Sequence, residues 1–129
     1  MNVLLDTHVL LWILADSGRL SPPAVRVYQN PDNALYVSIA SFWEIGIKIS
    51  LGKLSLHPSD WAGEISKELE LNGIRQLPIA PAHCAMVATL PFRHRDPFDR
   101  LLVAQALCEG MALMTADAAL TAYEIKIVW

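Results

Sequence analysis

Strong charge of either sign is missing from this chain: ten Lys and Arg stand against thirteen Asp and Glu, for a net charge of −3. That excludes the global basic field that marks many nucleic-acid binders, so a polyanion would have to be met by a local basic patch and a bound cation. Cysteine is scarce as well. Cys84 and Cys108 form no CxxC and no disulfide framework, and both thiols are expected buried on helices in a reducing cytoplasm. Long apolar runs are absent; the longest, Val9 to Ala15, is far short of the roughly 20 residues a membrane span needs. The start, Met1-Asn2-Val3, has no basic region, and Asp6 interrupts the first apolar stretch, so no signal peptide is expected. There is no HExxH, which argues against zinc hydrolysis. Gly46 to Gly52-Lys53 has the wrong spacing for a P-loop, with a leucine after the lysine. Repeats, low-complexity tracts and linkers are not seen.

What remains is a 129-residue chain, 53% hydrophobic and 18% charged, of a size for one domain around one sizeable core. Short apolar runs at Val3-Leu4-Leu5, Leu35-Tyr36-Val37, Ile74 to Leu77, Ala112-Leu113-Met114 and Ile125 to Val128 read as strands. Between them lie helical stretches: from Asp6-Thr7 through Trp12, from Ser21-Pro22-Pro23, from Ser41 to Leu51, from Ser59 to Leu71, from Pro81 to Leu90, and from Asp96-Pro97 through Cys108. A short helix is expected from Asp117 to Tyr123. Strands alternating with helices imply an α/β fold, a parallel sheet of four to five strands with helices on both faces.

Four acids, Asp6, Glu44, Asp99 and Asp117, each follow an apolar run or open a helical one. In an open α/β sheet those positions gather at the carboxyl ends of the strands, where ligand sites lie. Each also has an ordinary reading. Asp6 and Asp117 suit N-caps. Ser41-Phe42-Trp43-Glu44 suits a capping box, and Glu44 with Lys48 an exposed i,i+4 pair. Asp96-Pro97-Phe98-Asp99 supplies a cap, a proline at the first position and a favourable charge in the first turn. Capping and metal binding are compatible, and four carboxylates on one edge would repel one another without a cation. Mg2+ takes such oxygen ligands together with substrate phosphate oxygens. Thr7 and Thr115 stand beside strand-end acids, where their hydroxyls either orient the carboxylates or close local turns.

Four stretches carry a resemblance over essentially the whole chain: Leu4-Leu5-Asp6-Thr7-His8; Ser41-Phe42-Trp43-Glu44-Ile45 with Lys48 and Gly52-Lys53-Leu54; Asp96-Pro97-Phe98-Asp99-Arg100-Leu101-Leu102 with Ala104-Gln105-Ala106; and Leu113-Met114-Thr115-Ala116-Asp117. In order and spacing the chain resembles the PIN-domain family, and within it the VapC-type toxins. The resemblance implies one PIN-like domain over residues 1–129. It implies catalytic and metal-binding roles for Asp6, Glu44, Asp99 and Asp117, and a Mg2+- or Mn2+-dependent endoribonuclease that cuts RNA with activated water, leaving a 5′-phosphate and a 3′-hydroxyl. It further implies a homodimer in the cytoplasm, neutralised by a VapB-like antitoxin. One departure stands out: many relatives carry another acid three residues beyond the position of Asp117, where this chain has Leu120.

Arg93-His94-Arg95 with Arg100 is the densest basic cluster, beside two of the acids; Arg93, Arg95, Arg100 and Lys48 are candidates for RNA phosphates, or for a solvated loop paired to Asp96 and Asp99. Asp96 reads first as a helix cap. His8 reads as structural, and the four tryptophans as core. Several helices are apolar almost all round, a surplus that suits a dimer interface and a groove for an antitoxin segment. Receiver-like and haloacid-dehalogenase-like domains also use strand-end aspartates with Mg2+. The first wants paired acids at the first strand and the second an aspartate where His8 stands. A different class remains: a non-catalytic PIN-like protein or RNA interaction module, whose mark would be a missing acid.

Overall fold

Val3, Leu4 and Leu5 are all buried, yet they serve two different cores. Side chains alternate along a strand, so Val3 and Leu5 face one layer of helices and Leu4 the other. A run of this kind is stable only inside a sheet covered on both faces. The computed structural model describes residues 1–129 and shows that arrangement. Strands β1 (Asn2–Leu5), β2 (Ala34–Ser38), β3 (Arg75–Leu77), β4 (Ala112–Met114) and β5 (Ile127–Val128) form one sheet in the order β3-β2-β1-β4-β5. Every neighbouring pair is parallel. The six helices are α1 (Thr7–Leu14), α2 (Pro22–Gln29), α3 (Ile39–Ser50), α4 (Trp61–Leu71), α5 (Pro81–Thr89) and α6 (Pro97–Glu109), with a short 3₁₀ helix at Ala118–Ala122.

One core packs Val3, Leu5, Val37 and Met114 against Val9 and Leu10 of α1, Ile45 of α3 and Ile65 and Leu69 of α4. The other packs Leu4, Leu77 and Leu113 against Leu102, Val103 and Ala106 of α6, closed by Leu120 and Tyr123. The chain steps outward from β1 to β2 and β3, then returns to place β4 and β5 on the opposite side of β1. The order therefore reverses between β1 and β4, and that switch point opens a crevice at the carboxyl edge.

Helix starts follow the polar signals closely in most places. Asp6 accepts from the Val9 amide at 2.7 Å, Ser21 from that of Ala24, and Asp96 from those of Phe98 and Asp99. Gly110 ends α6 in the left-handed region at φ 65°, where a glycine carries no Cβ penalty. The capping box expected at Ser41 is not formed. The cap is Ser38, whose hydroxyl accepts from the Ala40 amide at 3.0 Å, because β2 passes into α3 without an intervening loop. Ser41 is instead buried in the first turn, where its hydroxyl accepts from that of Thr7 at 2.9 Å and ties α3 to α1. Two further expectations are corrected. Cys84 and Cys108 are exposed rather than buried, since α5 and α6 direct other faces inward. Trp43 is not core: it is 63% exposed and meets the Phe98 ring edge-on at 5.2 Å.

Candidate metal centre

Three of the four acids are delivered by the same device, a helix start beside the central strands. Asp6 follows β1 as the cap of α1, Asp99 sits in the first turn of α6, and Asp117 follows β4 as the cap of the 3₁₀ helix. Glu44 projects from the second turn of α3 and is buried, with Lys48 one turn on at 2.9 Å from its carboxylate. Helix N-termini carry partial positive charge, which makes gathering these carboxylates less costly.

It does not remove the cost. Burial first, then the charges of Asp96, Asp6 and Glu44, push the Asp99 carboxyl up to about 7, with His94 partly opposing. Burial also raises Asp6, against hydrogen bonds from the Thr115 hydroxyl and the Val9 amide, while the Glu44 charge adds to the rise. Asp117 goes the other way. Its modest burial acts upward but is outweighed by the His94 hydrogen bond and the Ala119 amide, so it stays below the usual carboxylate range. The donors gathered here are carboxylate oxygens, the kind suited to a hard divalent ion. Asp6 and Glu44 lie near enough for their charges to raise Asp99, so the carboxylates of these three residues and of Asp117 are chemically compatible with such an ion.

The supporting residues divide differently from the expectation. Thr115 does stand by Asp6, and its hydroxyl also accepts from the Asp117 amide at 3.1 Å, linking two of the acids. Thr7 serves Ser41 instead. Asp96 is a cap, with one carboxylate oxygen on the Phe98 and Asp99 amides at 2.8 and 3.3 Å. Arg93 and Arg95 are exposed on the loop that leads into α6. Arg100 is not. Its guanidinium is buried, donating to the carbonyls of Pro91, Val87 and Leu90 and to the Tyr123 hydroxyl, with the Phe92 ring stacked at 4.1 Å. Val87 and Leu90 are the carboxyl end of α5, so both terminal guanidinium nitrogens of Arg100 are engaged with that helix, the following loop and Tyr123.

One residue that the sequence reading passed over lies at the centre. His94 places Nε2 2.8 Å from Asp117 Oδ2 and 3.5 Å from Asp99 Oδ2. Atoms of these three side chains fall within 4.8 Å of one another. In sequence it was hidden between two arginines, with no ligand spacing to the acids. Phe92, 86% exposed above Arg100, was hidden in the same loop. Beside the acids runs an open groove of about 360 Å³, lined by Glu44 and Asp96, by Lys48, Lys53 and Arg95, and by apolar residues including Phe98. A second, apolar groove of about 340 Å³ lies away from the acids between α1 and α4, lined by Leu11, Leu14, Trp61 and Ile65 and edged by Glu64 and Glu68.

Comparison with known proteins bears on this arrangement. The PIN domain family model matches residues 3–126. Ribonuclease VapC22 of Mycobacterium tuberculosis is 30% identical over 130 residues, an alignment spanning 95% of this chain and 92% of that protein. Among solved structures, VapBC2 from Rickettsia felis, bound to a DNA fragment from their promoter, superposes with a TM-score of 0.71 at 11% identity, covering 98% of this chain and 97% of that one. VapBC-1 from nontypeable Haemophilus influenzae gives 0.68 at 20% identity, covering 98% and 96%. At those identities the structural likeness is one of fold.

Proposed function

This chain belongs to the PIN-domain family, and on that premise we propose that it is a divalent-metal-dependent endoribonuclease of the VapC type, held in check by a VapB-like antitoxin. The observation that carries the reading is the Asp99 carboxyl, crowded by Asp96, Asp6 and Glu44 at the sheet's switch point and raised to about 7. Carboxylates gathered at the switch point of a parallel sheet are a pattern of functional sites, and a divalent cation among them would balance their charge. A bound Mg2+ or Mn2+ would polarise a phosphodiester oxygen and acidify an attacking water.

The protein's own residues supply position and charge. Asp6 is fixed by the Val9 amide, and Asp117 by the Ala119 amide and the His94 ring Nε2, so these carboxylates are oriented before substrate arrives. Lys48 holds Glu44 while keeping part of its charge toward the groove. Arg93, Arg95, Lys48 and Lys53 offer local positive charge to phosphates flanking the cut bond, which answers the chain's net charge of −3. The groove is open, and single-stranded RNA, whose bases can splay out, is the substrate form proposed for it. The whole chain, residues 1–129, serves as one nuclease domain.

The same reading takes in the apolar surfaces. Trp43 on α3, 63% exposed, supports a homodimer through that helix. The groove between α1 and α4, apolar within and acidic at its rim, suits an antitoxin segment that is apolar and basic. No helix is long and apolar enough to cross a membrane, and two free exposed thiols accord with a reducing cytoplasm. The test is to incubate the purified chain with total cellular RNA in Mg2+, in Mn2+ and in EDTA. Discrete fragments with 5′-phosphates that vanish in EDTA support the reading. Cleavage that survives EDTA overturns the metal role, and an intact, folded protein that cuts nothing favours the non-catalytic RNA interaction module.

A further inference from the structure

His94, Asp99 and Asp117 lie close enough to share one ion, and an imidazole among carboxylates is usually read as a ligand favouring transition metals. The ring's other nitrogen argues against that. The Asp96 amide donates to His94 Nδ1 at 3.1 Å. An amide N–H is only a donor, so Nδ1 must present a lone pair, and the proton of the neutral ring then sits on Nε2. Nε2–H faces Asp117 Oδ2 at 2.8 Å. A histidine that ligates through Nε2 needs its lone pair there and carries its proton on Nδ1, donated to a carbonyl or carboxylate. Here that place is taken by a donor. Turning the ring over would set carbon atoms against both partners.

We infer that His94 is a positioning residue: fixed as the Nε2–H tautomer by the Asp96 backbone, it holds Asp117 in the acid cluster by hydrogen bonding and does not ligate the metal. Asp96 thereby does two things at once, since its side chain caps the helix that carries Asp99 while its amide sets the tautomer of His94. Asp117 needs the help. It is the most exposed of the three clustered groups, with 41% of its side chain open to solvent, and its own element is a 3₁₀ helix of five residues. Its Oδ1 accepts from the Ala119 amide at 2.9 Å and its Oδ2 from His94, so both oxygens are held and the carboxylate cannot swing outward. The position three residues on, where many relatives have a second acid, is a fully buried leucine, Leu120, which leaves Asp117 no acidic companion there. The inference rests on the metal-dependent nuclease reading and refines which groups hold the ion and which hold the holders.

The experiment pairs two measurements. Long-range proton–nitrogen correlation spectra of histidine-labelled wild type, metal-free and with saturating Mg2+, report the tautomer directly and do not depend on any variant folding. Calorimetric titration with Mg2+ and with Mn2+ then compares wild type, His94→Ala and His94→Gln. The expected result is an Nε2-protonated ring in both spectra. His94→Ala should weaken both ions alike, by about tenfold or more, and His94→Gln, which keeps a side-chain N–H, should recover most of the loss. A ring that moves its proton to Nδ1 when the ion binds, or a loss confined to Mn2+, makes His94 a ligand and overturns the inference. Equal affinities for wild type and His94→Ala overturn it too. Wild type that binds neither ion would overturn the nuclease reading itself, seen as the absence of binding in all three proteins rather than a difference between them.

Discussion

Replacing Arg100 with alanine separates the structural assignment of this arginine from its reading as an RNA contact. The side chain joins the end of α5, the following loop and Tyr123 through four hydrogen bonds of 3.0 to 3.3 Å. Some partners survive its loss: the Tyr123 hydroxyl still donates to Pro91 at 3.0 Å, and the Leu90 amide to Val87 at 3.2 Å. The Leu90 carbonyl is left without its donor, at a cost of about 1–3 kcal/mol when buried. Lost packing of the arginine stem and of the Phe92 stack adds about 1–2 kcal/mol. Freedom from burying a cation without a counter-charge offsets part of this. The net is about 3 kcal/mol, which for a chain of 129 residues corresponds to a fall in Tm of about 10 °C. Thermal unfolding of Arg100→Ala measures it, with RNA affinity taken at a temperature where the variant is folded. An unchanged Tm with a large drop in RNA affinity would refute the reasoning and return Arg100 to the binding surface.

Metal-free protein should lose stability as pH rises from about 4 to about 7. The Asp99 carboxyl, with an ordinary value of 3.8, is raised to about 7 in the fold, so the protonated form favours folding below that window and the advantage is gone above it. Saturating Mg2+ should cancel the fall and Asp99→Asn should flatten it; chemical denaturation across pH reads both, and a rising profile in the metal-free protein would contradict the raised carboxyl. Leu113→Ala in β4, fully buried in the core beneath α6, should cost about 2–5 kcal/mol in urea unfolding, and a cost below 1 kcal/mol would deny it a core position. The proposed homodimer through α3 predicts that wild type sediments as a dimer and Trp43→Glu, on the exposed face of that helix, as a monomer with unchanged far-ultraviolet circular dichroism; a monomeric wild type or an unaltered dimer would contradict it.

The layout of the fold was legible because most strands are short apolar runs and the acids stand just past a strand or near the start of a helix. Val3-Leu4-Leu5 buried on both faces could belong only to a covered parallel sheet, and the α/β order with a crevice at the carboxyl edge followed. What escaped depended on contacts between distant residues. Ser41 and Glu44 have the spacing of a capping box, but β2 runs directly into α3 at Ser38, and no local signal reports a missing loop. Arg100 looked like one more cation in a basic loop; its burial is decided by the carbonyls at the end of α5, ten and more residues earlier. His94 has no spacing relation to Asp117, 23 residues on, and only the return of the chain through β4 brings them together. One clue was local: a histidine two residues before an aspartate that opens a helix can accept that residue's amide, a turn that fixes the ring.

Whether the gathered carboxylates hold a divalent ion that supports RNA cleavage is tested most directly by comparing wild type with Asp99→Asn on one single-stranded RNA labelled at its 5′ end. Both proteins are titrated with Mg2+ in the calorimeter and assayed for cleavage over the same range. The account predicts saturable binding and matching cleavage in wild type, new ends bearing 5′-phosphates, and loss of both in a folded Asp99→Asn. Cleavage by the variant at the wild-type rate, or wild-type cleavage with no ion bound, would contradict it.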